Sequence, residues 1–263
     1  MDLQLKGKVA LISGSTKGIG FASAKLMAAE GAKVIINGRG ESAVKDAIAK
    51  IRAAHPQAEV DGFAADLATA AGANSLVAKL PDVDILVNNL GIFERKIFED
   101  IDDAEWQRFF DINVMSGVRL SRAYLAGMKQ RNWGRIVFVS SESGIHIPDN
   151  MIHYGMTKTA QMAISRGLAE TCAGTAVTVN TVLPGPTLSE GNLAGIAKRA
   201  PGRALPEFEK EFFEKARPSS LLKRYATPDE VANMIAYVCS PLASATNGAA
   251  LRVDGGVVRA CFG

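Results

Sequence analysis

The chain has 263 residues, 22% of them charged, and a formal net charge of only +3. That length suits one large domain with a well-buried core, and basic residues spread along the chain argue against a nucleic-acid surface. The longest apolar runs, such as IVFV, are strand-sized and too short to span a bilayer, and the opening MDLQLKGK lacks the apolar core of a signal peptide. The cysteines, Cys172, Cys239 and Cys261, are odd in number and far apart, which fits a reduced cytoplasm and no metal centre.

In chain order, short β-branched runs alternate with helical patterns. The first strand candidate, residues 9–13 (VALIS), runs into SGSTKGIG, where Gly14, Gly18 and Gly20 are spaced G-x-x-x-G-x-G. A glycine turn between a strand and a helix lets backbone N–H groups approach an anion, although the common dinucleotide spacing is G-x-G-x-x-G and the stretch also reads as a plain turn. Further strands are expected at 33–37, 60–65, 84–89, 135–140, 177–182 and 250–254, and helices at 21–30, 41–54, 69–79, 103–131 with a break, 151–172 and 227–240. Thr227-Pro228-Asp229-Glu230 carries a helix start signal. The pattern predicts a single α/β domain with a doubly wound (Rossmann) seven-stranded parallel sheet and helices on both faces. The irregular stretch at about 186–223, with a polar helix in PEFEKEFFEKA, reads as a lid over a site.

The chemistry concentrates in YGMTK, on the helix after the fifth strand. Tyr154 and Lys158 stand at i and i+4 on one helical face, and a cation beside a phenol favours phenolate and lowers its pKa. Ser141, at the end of the fifth strand, is placed to bond the same oxygen, and Asn113 is a poor helix former within a long helix. Each residue alone also reads as an amphipathic pair, a loop residue or a kink.

Taken in order, SGSTKGIG, NNLG, DINV, VFVSSESG, YGMTK, LPGPT and VDGG make the chain resemble the short-chain dehydrogenase/reductase family over nearly its whole length. The resemblance implies Tyr154 as acid/base, Lys158 lowering its pKa and holding the nicotinamide ribose, Ser141 orienting the substrate oxygen, and Asn113 completing a water-linked proton relay. It implies a cofactor groove of Gly14, Thr16, Lys17, Gly18, Ile19, Gly20, Arg39, Asp66, Leu67, Asn89, Gly91, Pro184, Gly185, Thr187 and Ser189, together with Tyr154 and Lys158. NNLG departs from the family's N-N-A-G at Leu90. Asp66 reads either as an acceptor for the adenine amino group or as part of the next helix start, and the Asp254 turn reads as a subunit-contact element.

Strand two ends in Gly38 and Arg39, where an NAD site would offer an acid to the ribose 2′-hydroxyl. With Lys17, Arg39 points instead to a 2′-phosphate and so to NADP(H). The expected substrate is a small or medium free carbonyl or alcohol, in a pocket of Phe93, Ser143, Ile145, His146, Tyr154 and the chain from Leu188 onward. Two alternatives stay open: a 3-oxoacyl-[acyl-carrier-protein] reductase, for which Arg131 is the basic residue near the right loop, and a catalytically silent dinucleotide-binding protein. Outer apolar positions Val114, Val118, Met162 and Ile164, with the resemblance, lead to an expected homotetramer.

Overall fold

A computed structural model describes residues 2–261. The seven strands β1 (Val9–Ile12), β2 (Lys33–Gly38), β3 (Val60–Ala64), β4 (Ile85–Asn88), β5 (Gly134–Val139), β6 (Val177–Pro184) and β7 (Ala250–Val253) form one parallel sheet in the order β3-β2-β1-β4-β5-β6-β7. β1 lies between β2 and β4, with Ile12 opposite both Ile36 and Val87, so the winding reverses there and opens a crevice at the carboxyl ends of the strands. The strands are near-continuous apolar runs because helices cover both faces. On one side Met27, Ile51, Val231 and Ile235 pack on Ile12, Ile36 and Val137; on the other Leu120, Tyr124 and Met128 pack on Leu11, Leu86, Ile136 and Phe138.

Most helices lie where the apolar period puts them: α1 (Gly18–Ala29), α2 (Glu41–Ala54), α3 (Ala70–Lys79), α4 (Asp103–Phe110), α5 (Ser116–Gln130) and α6 (Ile152–Glu170). The expected break at 103–131 is a π-helical turn, Asp111–Met115, that joins α4 to α5 without ending the helix. Within the 186–223 segment two helices form, α7 (Glu190–Arg199) and α8 (Leu205–Glu211), the second continued by a π turn at Phe212–Ala216. Only the second was read from the sequence; Ser189, whose side chain accepts from the Asn192 N–H, starts the first. The last helix, α9 (Pro228–Val238), begins with the expected box, Thr227 accepting from the Glu230 N–H at 3.2 Å while the Glu230 carboxylate accepts from the Thr227 N–H at 2.8 Å. Among the described residues no helix is long and apolar enough to cross a membrane.

Val114 is buried within the chain itself, so it is not one of the outer apolar positions; Val118, Met162 and Ile164 are half-buried. Asp254 holds its turn by accepting from the Gly256 and Val258 N–H groups.

Candidate active site

The crevice is a groove of about 660 Å³. Of the residues expected at the cofactor, Gly14, Thr16, Lys17, Ile19, Arg39, Asp66, Leu67, Asn89, Gly91, Pro184, Gly185, Thr187 and Ser189 line it, as do Ser141, Tyr154 and Lys158. Gly18 and Gly20 shape it from behind. A Cβ on Gly20 would lie 2.4 Å from the Asn89 side-chain nitrogen and 2.7 Å from the Gly14 carbonyl, so only glycine lets the turn close there. The Gly18 N–H donates to the Glu190 carboxylate at 2.8 Å, which puts an anionic oxygen at the amino end of α1, where a phosphate oxygen is favoured. Lys17 and Arg39 are exposed on the rim and, among the described residues, neither is paired with a carboxylate. This glycine turn, with two free cations and a carboxylate already on its N–H, fits a dinucleotide phosphate. Asp66 forms a local turn, its side chain accepting from the Ala68 N–H at 3.1 Å and its carbonyl from the hydroxyl of Thr69, which caps α3, at 2.9 Å.

α6 places Tyr154 and Lys158 on the face toward β5. The Lys158 Nζ donates to the Val139 carbonyl at 2.9 Å and to Gln161 Oε1 at 3.2 Å, and lies 5.6 Å from the centre of the Tyr154 ring. Burial pushes the Lys158 ammonium down to about 7. Burial also raises Tyr154 above the ordinary phenol value; the Ser141 hydroxyl beside it pulls the other way, and the charge of Glu142 adds to the rise. Desolvation penalises the charged form of both groups, and the Lys158 ammonium donates to a carbonyl and an amide oxygen.

Asn113 does not line the groove. It lies beneath it on the π turn, its side chain accepting from the Ile92 N–H at 2.8 Å and donating to the Ile92 carbonyl and to Thr157 Oγ1 at 3.0 Å each. Its main-chain carbonyl accepts from Gln161 Nε2 at 2.6 Å. The buried Gln161 side chain thus bridges the Asn113 carbonyl and the Lys158 ammonium. Sequence reading passed over Gln161, although a polar residue three places after Lys158 on the same helical face was a usable signal.

Ser141 Oγ accepts from the Ser143 N–H at 3.1 Å and donates to the Glu142 carboxylate at 2.5 Å. The other Glu142 oxygen receives Arg217 Nε and Nη2 at 3.1 and 3.0 Å. This buried ion pair, 75 residues apart in the chain, ties the catalytic strand end to the 186–223 segment. Of the expected substrate pocket, Phe93, Ser143 and Tyr154 line the groove, as do Ser189, Asn192, Phe212 and Arg217 from the chain beyond Leu188; Ile145, His146 and Leu188 itself do not, and Met151 and Tyr225 line it unexpectedly. His146 and Ile145 are exposed on the turn after Ser143, pointing away. His153 is fully buried against Phe109, ring centres 4.0 Å apart, and is a packing residue.

The order of these parts along the chain matches the family profile described as enoyl-(acyl carrier protein) reductase over residues 14–258. The chain belongs to the short-chain dehydrogenase/reductase family. It is 50% identical to the oxidoreductase YvaG of Bacillus subtilis across 100% of both chains, and 31% identical to the 3-oxoacyl-[acyl-carrier-protein] reductase FabG of Aquifex aeolicus, covering 98% of this chain and 100% of FabG. The structure of L-sorbose reductase from Gluconobacter frateurii, complexed with NADPH and L-sorbose, is similar with a TM-score of 0.92 at 30% identity, covering 99% of this chain and 100% of that one. As a short-chain dehydrogenase/reductase, the protein is an oxidoreductase that binds a nicotinamide dinucleotide.

Proposed function

We propose that the protein interconverts a carbonyl and a secondary alcohol on a small or medium free substrate, using NADP(H), with Tyr154 as acid/base. The observation that carries this reading is that Tyr154, Lys158 and Ser141 meet in one groove with a glycine turn built for an anion. When bound, the nicotinamide supplies or accepts the hydride. Tyr154 gives its proton to the carbonyl oxygen in reduction and takes it back in oxidation. Lys158 holds the nicotinamide ribose and, once charged, stabilises the phenolate; Ser141 orients the substrate oxygen, for which its proton has to leave Glu142. Asn113 acts from below, through Gln161. Gly14, Gly18 and Gly20 cradle the phosphates; Asp66 and Leu67 flank the adenine; Asn89, Gly91, Pro184, Gly185, Thr187 and Ser189 complete the wall, and the 186–223 segment closes over it as a lid.

The preference for NADP(H) rests on the end of β2. A Cβ on Gly38 would lie 2.5 Å from Thr16 Cγ2, and the Asn37 side chain is turned inward to the Phe63 and Ala65 carbonyls, so no acid is offered to a 2′-hydroxyl. Lys17 and Arg39 remain to bind a 2′-phosphate. Identity with FabG favours a second reading, reduction on acyl carrier protein. Against it stands Arg131, whose guanidinium is held by Asp82 at 2.5 Å and by the Val83 carbonyl at 2.9 Å, so it is less free for an acidic carrier. The free thiols of Cys172, Cys239 and Cys261 support a cytoplasmic setting.

The test is initial rates on a panel of ketones and alcohols with both cofactors. The expected kcat/KM is about tenfold or more higher with NADP(H), and Arg39→Asp reverses the order, since a charge-assisted bond is worth about 1.5–3 kcal/mol. Equal or better kcat/KM with NAD(H) in the unmutated protein contradicts the assignment.

A further inference from the structure

Beside the groove stand a phenol, Tyr225, and the guanidinium groups of Arg95, Arg199 and Arg217, which the reaction at Tyr154 does not use. Tyr225 lines the groove, packed between Phe212 and Phe213 with ring centres 5.2 Å away in each case. Its side chain is 4% exposed, and its hydroxyl has no hydrogen-bond partner among the described residues. A buried hydroxyl left without a partner is costly, so a ligand atom that bonds it has a large advantage.

Arg95 is exposed beside the same aromatic cluster, outside the groove lining itself, with its Cζ 5.8 Å from the centre of the Phe212 ring, which does line the groove. Among the described residues no carboxylate pairs with it. Partial desolvation and the repulsion of Arg199 and Arg217 hold its guanidinium below the usual value, while Tyr225 acts in the opposite sense. Arg217 is already neutralised by Glu142, and Arg199 lies over the Phe208 ring at 5.9 Å. Glu209, the other carboxylate here, is engaged with the Tyr225 backbone N–H at 2.7 Å. Arg95 and Arg199 are therefore both without a carboxylate partner among the described residues, and of the two Arg95 is the one beside the groove-lining Phe212.

We propose that Arg95 and the Tyr225 hydroxyl together bind a carboxylate of the substrate, making the substrate an oxo acid or the matching hydroxy acid. This rests on the reading that Tyr154 serves a carbonyl in the same groove. A planar carboxylate offers two oxygens, one set for the guanidinium fork and one for the phenol. Phe93, Met151 and Phe212 add apolar surface to the same groove, which suits a carbon chain joining the two ends.

The experiment compares four- to six-carbon oxo acids with their methyl esters as substrates for the full-length enzyme with NADPH. The best acid is expected to exceed its ester by about 10- to 100-fold in kcat/KM, carried mainly by KM. Arg95→Leu brings that ratio close to one, Arg95→Lys keeps part of it, and Tyr225→Phe lowers it by roughly tenfold, since it deletes only the hydroxyl. An acid-to-ester ratio near one in the unmutated protein, or a ratio that Arg95→Leu leaves unchanged, overturns the carboxylate site while turnover of the esters keeps the oxidoreductase reading. If neither acids, esters nor simple ketones turn over with either cofactor, both readings fall.

Discussion

Lys158 is buried and Tyr154 half-buried beside it, and for each the neutral form is favoured more than it would be in water. Burial holds Lys158 at about 7, so between that pH and its ordinary value near 10.5 the unfolded chain binds more protons than the folded one. Stability of the cofactor-free protein therefore rises with pH across this window, by about 2 kcal/mol between pH 7 and pH 9 from this group. Tyr154 acts in the opposite sense: its pKa is raised, so above about pH 10 the folded state keeps a proton that the unfolded state loses, and stability falls. Denaturation of Lys158→Met across pH 7–9 is expected to lack the rise of the unmutated protein; an unchanged slope would refute the assignment. Gln161, 1% exposed between the Asn113 carbonyl and Lys158, fixes where the ammonium stands.

At the scale of elements, α7 carries Glu190 onto the Gly18 N–H, so the lid supplies its own anion to the turn that we assign to the cofactor phosphates. Phosphate and carboxylate compete for one donor. Glu190→Gln is expected to tighten NADPH binding by roughly threefold to tenfold, a modest gain because the carboxylate is exposed. Titration by fluorescence measures it, and unchanged or weaker binding would show that Glu190 does not compete. Local pattern made most elements legible beforehand: α2 has the expected bounds, 41–54, and each strand lies within two residues of its expected ends, because apolar period and turn residues are local signals. The π turn was legible only as a break, since Asn113 disfavours a helix without saying what replaces it. α7 escaped because its sequence, EGNLAGIAKR, has two glycines and a weak apolar stripe. The Glu142–Arg217 pair and the Phe212–Tyr225 contact escaped for a different reason: each is made by the tertiary fold, and nothing local in either partner names the other.

For the whole molecule, the proposed homotetramer has to cover side chains that the single chain leaves in water, including Leu221 at 84% exposure, with Tyr237 on α9 and Leu242 also exposed. Such surface is ordinary in small amounts, so the assembly state is a matter for measurement. Light scattering at micromolar concentration is expected to give four chains per particle, and a single-chain mass would reject the tetramer. The central claim is that the groove reduces a carbonyl with a proton from Tyr154. It is tested most directly by the turnover of Tyr154→Phe on the best substrate of the panel, with NADPH binding measured on the same sample. The ring still packs edge-on against Phe93, with centres 6.3 Å apart, so binding is expected to stay nearly intact. Turnover is expected to fall roughly 10²- to 10⁴-fold as the acid/base is lost. Near-normal turnover in Tyr154→Phe would contradict the account.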